Sequence, residues 1–232
     1  MTAIRFSLPT IEYAIRDICS VLYEQAPTSE KKHNEHSEDE LWCELVFCIL
    51  GSRVKYEVVY AAVERMDAMS LLSHPRRSSC FDQYEYDTVS ALSGGYPFYR
   101  LRASQIRRAA EYLYSSQGSI LQLLNSVDGA RSARRLLTDN VSGLGPKQAS
   151  LFLRNIGYTK QIAVLDVHVL RYLNWVGLTD TLLKSVATLG KYQDLEKSFI
   201  KHAYSFGYSP AQFDLAVWIV MKVAQEESKA WR

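Results

Sequence analysis

The sequence predicts an all-α protein built from two helical lobes, and three observations favour this fold. Apolar residues recur every three or four positions through most of the chain, as at Ile11, Ile15 and Ile18, which is the spacing of one helix face. Helix-start signals precede several of these segments, among them Ser37 with Glu40 three residues later. No segment shows the sustained alternation of apolar and polar residues that is typical of strands.

The predicted helices follow one another along the chain. The first covers residues 10–22 with Thr10 as its cap, and an exposed polar loop follows at 26–37. The second covers 41–50, and residues 74–98 give no clear pattern. The third helix is expected to turn four residues inward: Tyr56, Val59, Tyr60 and Val63. Later helices are predicted at 104–114, 119–126, 129–138, 167–176, 194–205 and 210–224.

Composition excludes several classes of protein. No apolar run approaches the ~20 residues that span a bilayer, and the first residues lack the apolar core of a signal peptide. We therefore expect a soluble, cytoplasmic protein with no membrane partner. The four cysteines form no C-x-x-C pair and have no histidine at zinc spacing, so we expect buried structural thiols and no metal site.

The net charge of +2 conceals an uneven distribution. Up to residue 95 the chain holds 9 Lys/Arg and 15 Asp/Glu, a net charge of −6, whereas the remaining 18 and 10 give +8. A basic C-terminal portion is compatible with a nucleic-acid-binding face, and equally with ordinary asymmetry.

The most informative segment is Gly143-Leu144-Gly145-Pro146-Lys147, which lies between two helical patterns. Two glycines separated by one apolar residue allow a tight turn, and Pro146 suits the first turn of the next helix. The turn leaves backbone N–H groups exposed at a helix N-terminus, which is a phosphate-binding arrangement. We therefore predict a helix-hairpin-helix within residues 130–176.

This hairpin, continued by GLGPKQASLFLRNIGY and AVLDVHVLRYL, resembles the helix-hairpin-helix DNA glycosylases, and most of all the archaeal-type 8-oxoguanine glycosylase/AP lyases. The resemblance covers roughly residues 38–66 and 98–222. It implies two lobes with a DNA-binding cleft between them. We assign residues 1–36 to an N-terminal helix and loop that pack with the C-terminal helices. Residues 37–125 then form the first lobe, and 126–232 the hairpin lobe and C-terminal helices.

The resemblance implies two catalytic residues. Lys147 matches the family's lysine, whose amine attacks C1′ of the damaged nucleoside and forms a Schiff base; the alternative is a lysine that only contacts phosphate. Asp166, 19 residues later, matches the aspartate that stabilises positive charge at the sugar. The alternative for Asp166 is a helix N-cap, and the two roles are compatible.

Other positions are candidates for DNA contact. The hairpin backbone at Ser142, Gly143 and Gly145 should bind phosphate, and His168 matches a backbone-contacting position or is structural. In relatives the hairpin carbonyls also hold a monovalent cation, which makes this backbone a candidate cation site. The arginines proposed to contact DNA are Arg131 and Arg134, with Arg100, Arg102, Arg107, Arg108 and Arg135 as further candidates.

Base extrusion and base recognition involve the last group of residues. Arg53 aligns with the loop where relatives insert an Asn or Gln wedge, although it also suits an exposed helix end. Asp214, Trp218 and Phe213 match the region that holds the flipped base, and the two aromatic residues equally suit a core. Relatives end in a tail whose lysine reaches the base. This sequence has KVAQEESKAWR at that place, a departure that bears on specificity for 8-oxoguanine.

The predicted function is that of a bifunctional base-excision repair enzyme, which removes 8-oxoguanine through a lysine Schiff base and nicks the strand by β-elimination. The alternatives are a glycosylase for another damaged or mismatched base, and a non-enzymatic DNA-binding module. We expect a monomer acting on double-stranded DNA, in the nucleoid of a prokaryote or the nucleus of a eukaryote. No cofactor is required, and an iron–sulfur cluster of the endonuclease-III type is excluded because no cysteine follows Cys80.

Overall fold

The computed structural model describes residues 7–25, 31–73, 75 and 80–230, with side chains up to residue 225. All regular elements in these ranges are helices, which confirms the all-α prediction. A 3₁₀ turn at His33–Glu35 and a π-helical turn at Tyr112–Ser116 accompany the α-helices. These are α1 (Leu8–Glu24), α2 (Glu38–Leu50), α3 (Tyr56–Ala68), α4 (Phe81–Ser93), α5 (Tyr99–Glu111), α6 (Ile120–Asn125), α7 (Ala130–Asn140), α8 (Pro146–Asn155), α9 (Val167–Trp175), α10 (Leu189–Ser205) and α11 (Pro210–Ala230).

The first two helices begin with side-chain caps. The Ser37 hydroxyl accepts a hydrogen bond from the Glu40 N–H, and the Glu40 carboxylate accepts one from the Ser37 N–H, which confirms the predicted capping box. The prediction of Thr10 as the cap of α1 is wrong. Ser7 caps the helix by accepting from the Thr10 N–H, because the proline at position 9 is accommodated within the first turn and the helix starts before it.

The buried face of α3 differs from the predicted one. Val59, Ala62 and Met66 are fully buried, whereas Tyr56 and Tyr60 are 61% and 51% exposed. The two tyrosines stack on one another with ring centroids 6.2 Å apart. The buried residues are spaced three and four apart, so they form one helix face, and the tyrosines lie on the adjoining face.

Tertiary contacts divide the chain into two compact units. The terminal unit comprises residues 1–30 and 159–232. Within it, α1 packs against α11, and α11 packs against α9 and α10. Its core includes Ile15, Leu173, Phe199, Phe213 and Val217, all fully buried.

The hairpin unit comprises residues 31–158 and is organised around α2, which packs against α3, α5, α6 and α8. The predicted boundary at residue 126 differs from this division. Helices α7 and α8 pack on each other, and α8 packs on α2 while burying Phe152 and Leu153 completely. The hairpin therefore belongs with the preceding helices rather than with the C-terminal ones.

The cysteines of the described chain are free thiols. Cys19 and Cys48 are buried, Cys43 is partly buried and Cys80 is exposed. Among the residues described, no three metal-ligating side chains come together. No helix in this part of the chain combines the length and apolar character needed to cross a membrane.

Candidate nucleic-acid interface and catalytic residues

The hairpin of the hairpin unit adopts the predicted tight turn. Gly143 has φ +92°, and a Cβ there would lie 2.9 Å from the Ile49 side chain, so only glycine fits. Gly145 is the N-cap of α8 and Pro146 its first residue. The turn borders an open depression of about 530 Å³, lined by Gln105 and residues 138–145. Because the first N–H groups of a helix lack intrahelical acceptors, this depression suits an anionic phosphate.

Lys147 is the second residue of α8 and is partly buried. Its positive charge acts to lower the pKa of the buried Cys48 thiol of α2, the helix against which α8 packs. The pKa of Cys48 is nevertheless raised well above its ordinary value, mainly by burial. Lys147 therefore combines partial burial with a position directly after the hairpin turn.

A partly buried carboxyl group that sequence patterns did not single out, that of Glu44, ties α2 to α8. The Glu44 carboxylate accepts hydrogen bonds from Asn155 Nδ2 at 2.8 Å and from the Cys48 thiol at 3.4 Å. Burial raises the pKa of Glu44, against the opposing effect of the Asn155 hydrogen bond. Asn155 lies at the end of the helix that starts beside Lys147, so this link holds α8 against α2.

Arg134 does not occupy a DNA-facing position, which corrects its sequence-based assignment. The side chain is 0% exposed and donates to the Ser150 hydroxyl at 3.1 Å. Ser150 in turn donates to the Pro146 carbonyl at 2.9 Å. Arg134 thus joins α7 to the first turn of α8, whereas Arg131 and Arg135 on the same helix are exposed.

In the terminal unit, Asp166 is the N-cap of α9. Its Oδ1 accepts hydrogen bonds from the backbone N–H groups of His168 at 2.9 Å and Val169 at 3.0 Å. The predicted capping role is therefore confirmed. Both bonds use one carboxylate oxygen, so capping holds the side chain rigidly at the start of the helix.

Three buried side chains hold the segment that leads into Asp166. Glu196 accepts from the Ala163 N–H at 3.0 Å, and Asp214 accepts from the Val164 N–H at 2.6 Å. Tyr192 accepts from the Leu165 N–H at 2.9 Å and donates to the Ala163 carbonyl at 2.8 Å. Glu196 and Tyr192 are contributions that only the structure reveals, since nothing in the sequence pattern marks them.

The predicted base pocket divides into core and partly exposed residues. Phe213 is fully buried among Phe199, Phe206 and Tyr172, and Asp214 is 1% exposed. Both assignments to the pocket are corrected, because these side chains face the interior of the terminal unit. Trp218 remains partly exposed.

Two further side chains, those of His168 and Lys222, lie beside the Trp218 ring. The His168 ring lies edge-on to it, with centroids 6.2 Å apart, and Lys222 Nζ lies 4.8 Å from the ring centroid. A cation over an indole face is a favourable contact. Lys222 was not identified from the sequence, although its i+4 spacing from Trp218 is a signal for such a pair.

Arg53 lies in the turn of residues 51–55 after α2, which we call the wedge turn. It is exposed and has φ +65°, a left-handed conformation that is uncommon for residues other than glycine. Residues with unfavourable backbone conformations are concentrated at functional sites. The structure therefore supports the choice of Arg53 as a candidate residue, while its wedge role stays a prediction.

The family model described as 8-oxoguanine DNA glycosylase matches residues 24–208. The 8-oxoguanine DNA glycosylase/AP lyase of Thermotoga maritima is 30% identical over 210 residues, which cover 90% of this chain and 93% of the relative.

Two solved structures agree with that result. The crystal structure of the 8-oxoguanine DNA glycosylase of Thermotoga maritima matches with a TM-score of 0.70 at 27% identity, covering 90% of this chain and 95% of the other. The Methanocaldococcus jannaschii 8-oxoguanine glycosylase/lyase in complex with a 15mer DNA containing 8-oxoguanine matches with a TM-score of 0.67 at 25% identity, covering 90% and 88%. The resemblance inferred from the hairpin is confirmed, and the chain belongs to the 8-oxoguanine DNA glycosylase family of helix-hairpin-helix proteins.

Proposed function

We propose that this protein excises 8-oxoguanine from double-stranded DNA and then cuts the strand at the resulting abasic site. The observation that carries this proposal is the position of Lys147. It is the second residue of α8, directly after a turn whose glycine at position 143 admits no side chain. An amine placed there lies beside the backbone N–H groups that bind a phosphate, and hence beside the sugar attached to that phosphate.

The nucleophile is the neutral amine of Lys147. Attack on C1′ forms a C–N bond, and the bond to the damaged base breaks with its electron pair leaving on the base, which takes up a proton. Loss of the amine proton and opening of the sugar ring then give an imine.

Strand cleavage follows from the same imine. Removal of a proton from C2′ leads to β-elimination, in which the 3′ phosphate leaves with the C–O bonding electrons. Water finally hydrolyses the imine and regenerates Lys147. The role proposed for Asp166 is to stabilise positive charge at the sugar, and its fixed position at the N-cap of α9 supports this because a preorganised charge needs no rearrangement.

The proposed base site consists of Trp218 with His168 and Lys222. A partly exposed indole provides a stacking face, and an ammonium group beside it can interact with the carbonyl oxygens of an oxidised purine. Lys222 lies in the part of the chain where this sequence departs from its relatives. It is therefore a candidate for the cation that recognises the base.

The remaining interactions concern the DNA backbone. We propose that the hairpin backbone at Ser142, Gly143 and Gly145 binds a phosphate, with Arg131 as an exposed cationic neighbour. The carbonyls of the same loop are oxygen ligands of the kind that suit a monovalent cation. A monomer is sufficient, since one chain contributes both Lys147 and Asp166, and it would act in the compartment that holds the DNA.

Borohydride trapping tests this function most directly. Wild-type protein, Lys147→Gln and Lys191→Gln are incubated with duplexes that carry 8-oxoguanine opposite each of the four bases. Lys191 is an exposed lysine of α10 and serves as the matched control. We expect a covalent adduct with the wild type and Lys191→Gln, and none with Lys147→Gln.

Other outcomes would redirect the assignment. Trapping on a preformed abasic site but not on 8-oxoguanine would retain the lyase and indicate another damaged base. Failure to trap on either substrate, with DNA still bound, would contradict the enzymatic function and indicate a DNA-binding module.

A further inference from the structure

One buried arginine connects the wedge turn to another part of the hairpin unit. Arg102, on α5, is 7% exposed. Its Nη2 donates to the Ser52 carbonyl of the wedge turn at 3.0 Å, and its Nη1 donates to Gln105 Oε1 at 2.7 Å. Arg102 was a candidate for phosphate contact in the sequence, but its burial and its two hydrogen bonds assign it an internal role.

Gln105 extends this connection to the hairpin. The Oε1 atom that accepts from Arg102 lies 3.2 Å from the position that a Cβ of Gly143 would occupy. The Ile49 side chain, in the last turn of α2, lies 2.9 Å from the same position. The hairpin therefore packs directly against the end of α2 and against Gln105, with no space for an intervening side chain.

The wedge turn is also held just before its strained residue. The Tyr96 hydroxyl donates to the Leu50 carbonyl at 2.5 Å, and Arg102 holds the Ser52 carbonyl. Arg53 follows at once with φ +65°. An unfavourable backbone conformation persists only where its surroundings over-determine it, and these two anchors provide that restraint.

We propose that Arg102 and Gln105 are positioning residues that fix the wedge turn against the hairpin. The hairpin that binds phosphate and the turn that inserts Arg53 into the duplex then move as one rigid assembly. The free energy of phosphate binding can therefore offset the cost of inserting Arg53. This proposal rests on the proposed function, because it concerns the opening of the duplex that precedes base removal. It predicts that the bridge affects base extrusion rather than the chemistry at Lys147.

The test compares one lesion in two contexts. Single-turnover excision of 8-oxoguanine is measured in a paired duplex and in an unpaired bubble, for wild type, Arg102→Met, Gln105→Met and the double variant. We expect Arg102→Met to slow excision from the paired duplex by about tenfold or more, since small misplacements have large effects on rate, and to leave the bubble substrate within about twofold. Gln105 also lines the depression proposed to bind phosphate, so Gln105→Met should lower both rates, with the larger loss on the paired duplex. The double variant should resemble the single ones, because both remove the same connection.

Arg65→Met is the matched control. Arg65 is another partly buried arginine of the hairpin unit, whose Nε donates to the Ala91 carbonyl at 2.9 Å. Its loss removes a comparable arginine–carbonyl bond from α4 instead of from the wedge turn. The ratio of paired to bubble rates should stay at the wild-type value in this variant.

Three results would overturn the proposal. These are an equal loss on both substrates, additive effects in the double variant, or the same change of ratio in Arg65→Met. If the wild type excises nothing from either substrate, the proposed function fails separately. In that case, fluorescence of 2-aminopurine placed beside an abasic-site analogue measures duplex opening. Equal opening by wild type and Arg102→Met would overturn the positioning role. Weaker opening by Arg102→Met would support it.

Discussion

Asp214 accepts a 2.6 Å hydrogen bond from the backbone N–H of Val164, two residues before Asp166. Glu196 and Tyr192 hold the flanking N–H groups in the same way. Hydrogen bonds to a charged acceptor are short and strong, so the chain enters α9 along a fixed path. The position of the Asp166 carboxylate therefore depends on side chains from α10 and α11.

Asp214→Asn is expected to weaken this support. A neutral amide oxygen is a weaker acceptor, and we expect a loss of roughly 1–2 kcal/mol in the free energy of unfolding. Excision of 8-oxoguanine and cleavage of a preformed abasic site should slow by similar factors, because the role proposed for Asp166 concerns both reactions. Single-turnover assays with the two substrates measure this. A defect confined to excision would instead indicate contact between Asp214 and the base.

Trp218→Ala should affect excision of 8-oxoguanine and leave cleavage of a preformed abasic site unchanged. Stacking of a base on an aromatic ring contributes roughly 1–3 kcal/mol, so we expect excision to slow by about tenfold or more while abasic-site cleavage is retained. Lys222→Met should give a smaller defect of the same kind. Trp175→Ala is the matched control, since Trp175 is 44% exposed at the end of α9. Equal loss on both substrates would contradict the role in base recognition proposed for Trp218.

Arg134→Met and Arg131→Met should separate stability from DNA binding. Arg134 is fully buried and bonded to Ser150, so its replacement should lower the free energy of unfolding by roughly 2–3 kcal/mol. Arg131 lies one turn earlier and is exposed. Arg131→Met should therefore leave the free energy of unfolding unchanged, weaken DNA binding and reduce the dependence of binding on salt concentration. Urea unfolding and binding titrations at several salt concentrations measure both. A large loss of stability in Arg131→Met would contradict this assignment.

Glu40 and Glu44, one turn apart on α2, should have opposite effects on stability as the pH changes. Hydrogen bonds from Lys31 and Ser37 lower the pKa of Glu40 to about 2. The stabilisation that ionised Glu40 gives the folded protein is therefore fully present above the ordinary pKa of 4.5, and it is lost as the pH falls towards 2. Burial raises the pKa of Glu44, so its ionisation opposes folding as the pH rises above 4.5.

Unfolding of wild type, Glu40→Gln and Glu44→Gln by urea across pH 2 to about 8 tests this pair. Glu40→Gln should be less stable than wild type above the ordinary glutamate pKa and similar to it near pH 2. Glu44→Gln should gain stability relative to wild type as the pH increases. Parallel curves for the two variants would contradict the assigned pKa shifts.

Features that depend on neighbouring residues were predictable from the sequence. The hairpin glycines, the proline at the first position of α8 and the capping box of Ser37 and Glu40 each follow from local backbone geometry. The same holds for Asp166 as an N-cap, because the bonds that define it reach only two and three residues ahead. The family resemblance was likewise carried by contiguous residues.

Features that depend on burial were decided by the tertiary structure alone. Arg134 and Arg131 look alike in sequence, yet only Arg134 meets Ser150 of the next helix. Asp214 is held inside by the segment around Val164, 50 residues earlier in the chain, and α7 and α8 pack with α2 rather than with the helices that follow. A charged side chain is buried only where distant residues provide hydrogen-bonding partners, and those partners are brought together by helix packing, which no local pattern specifies.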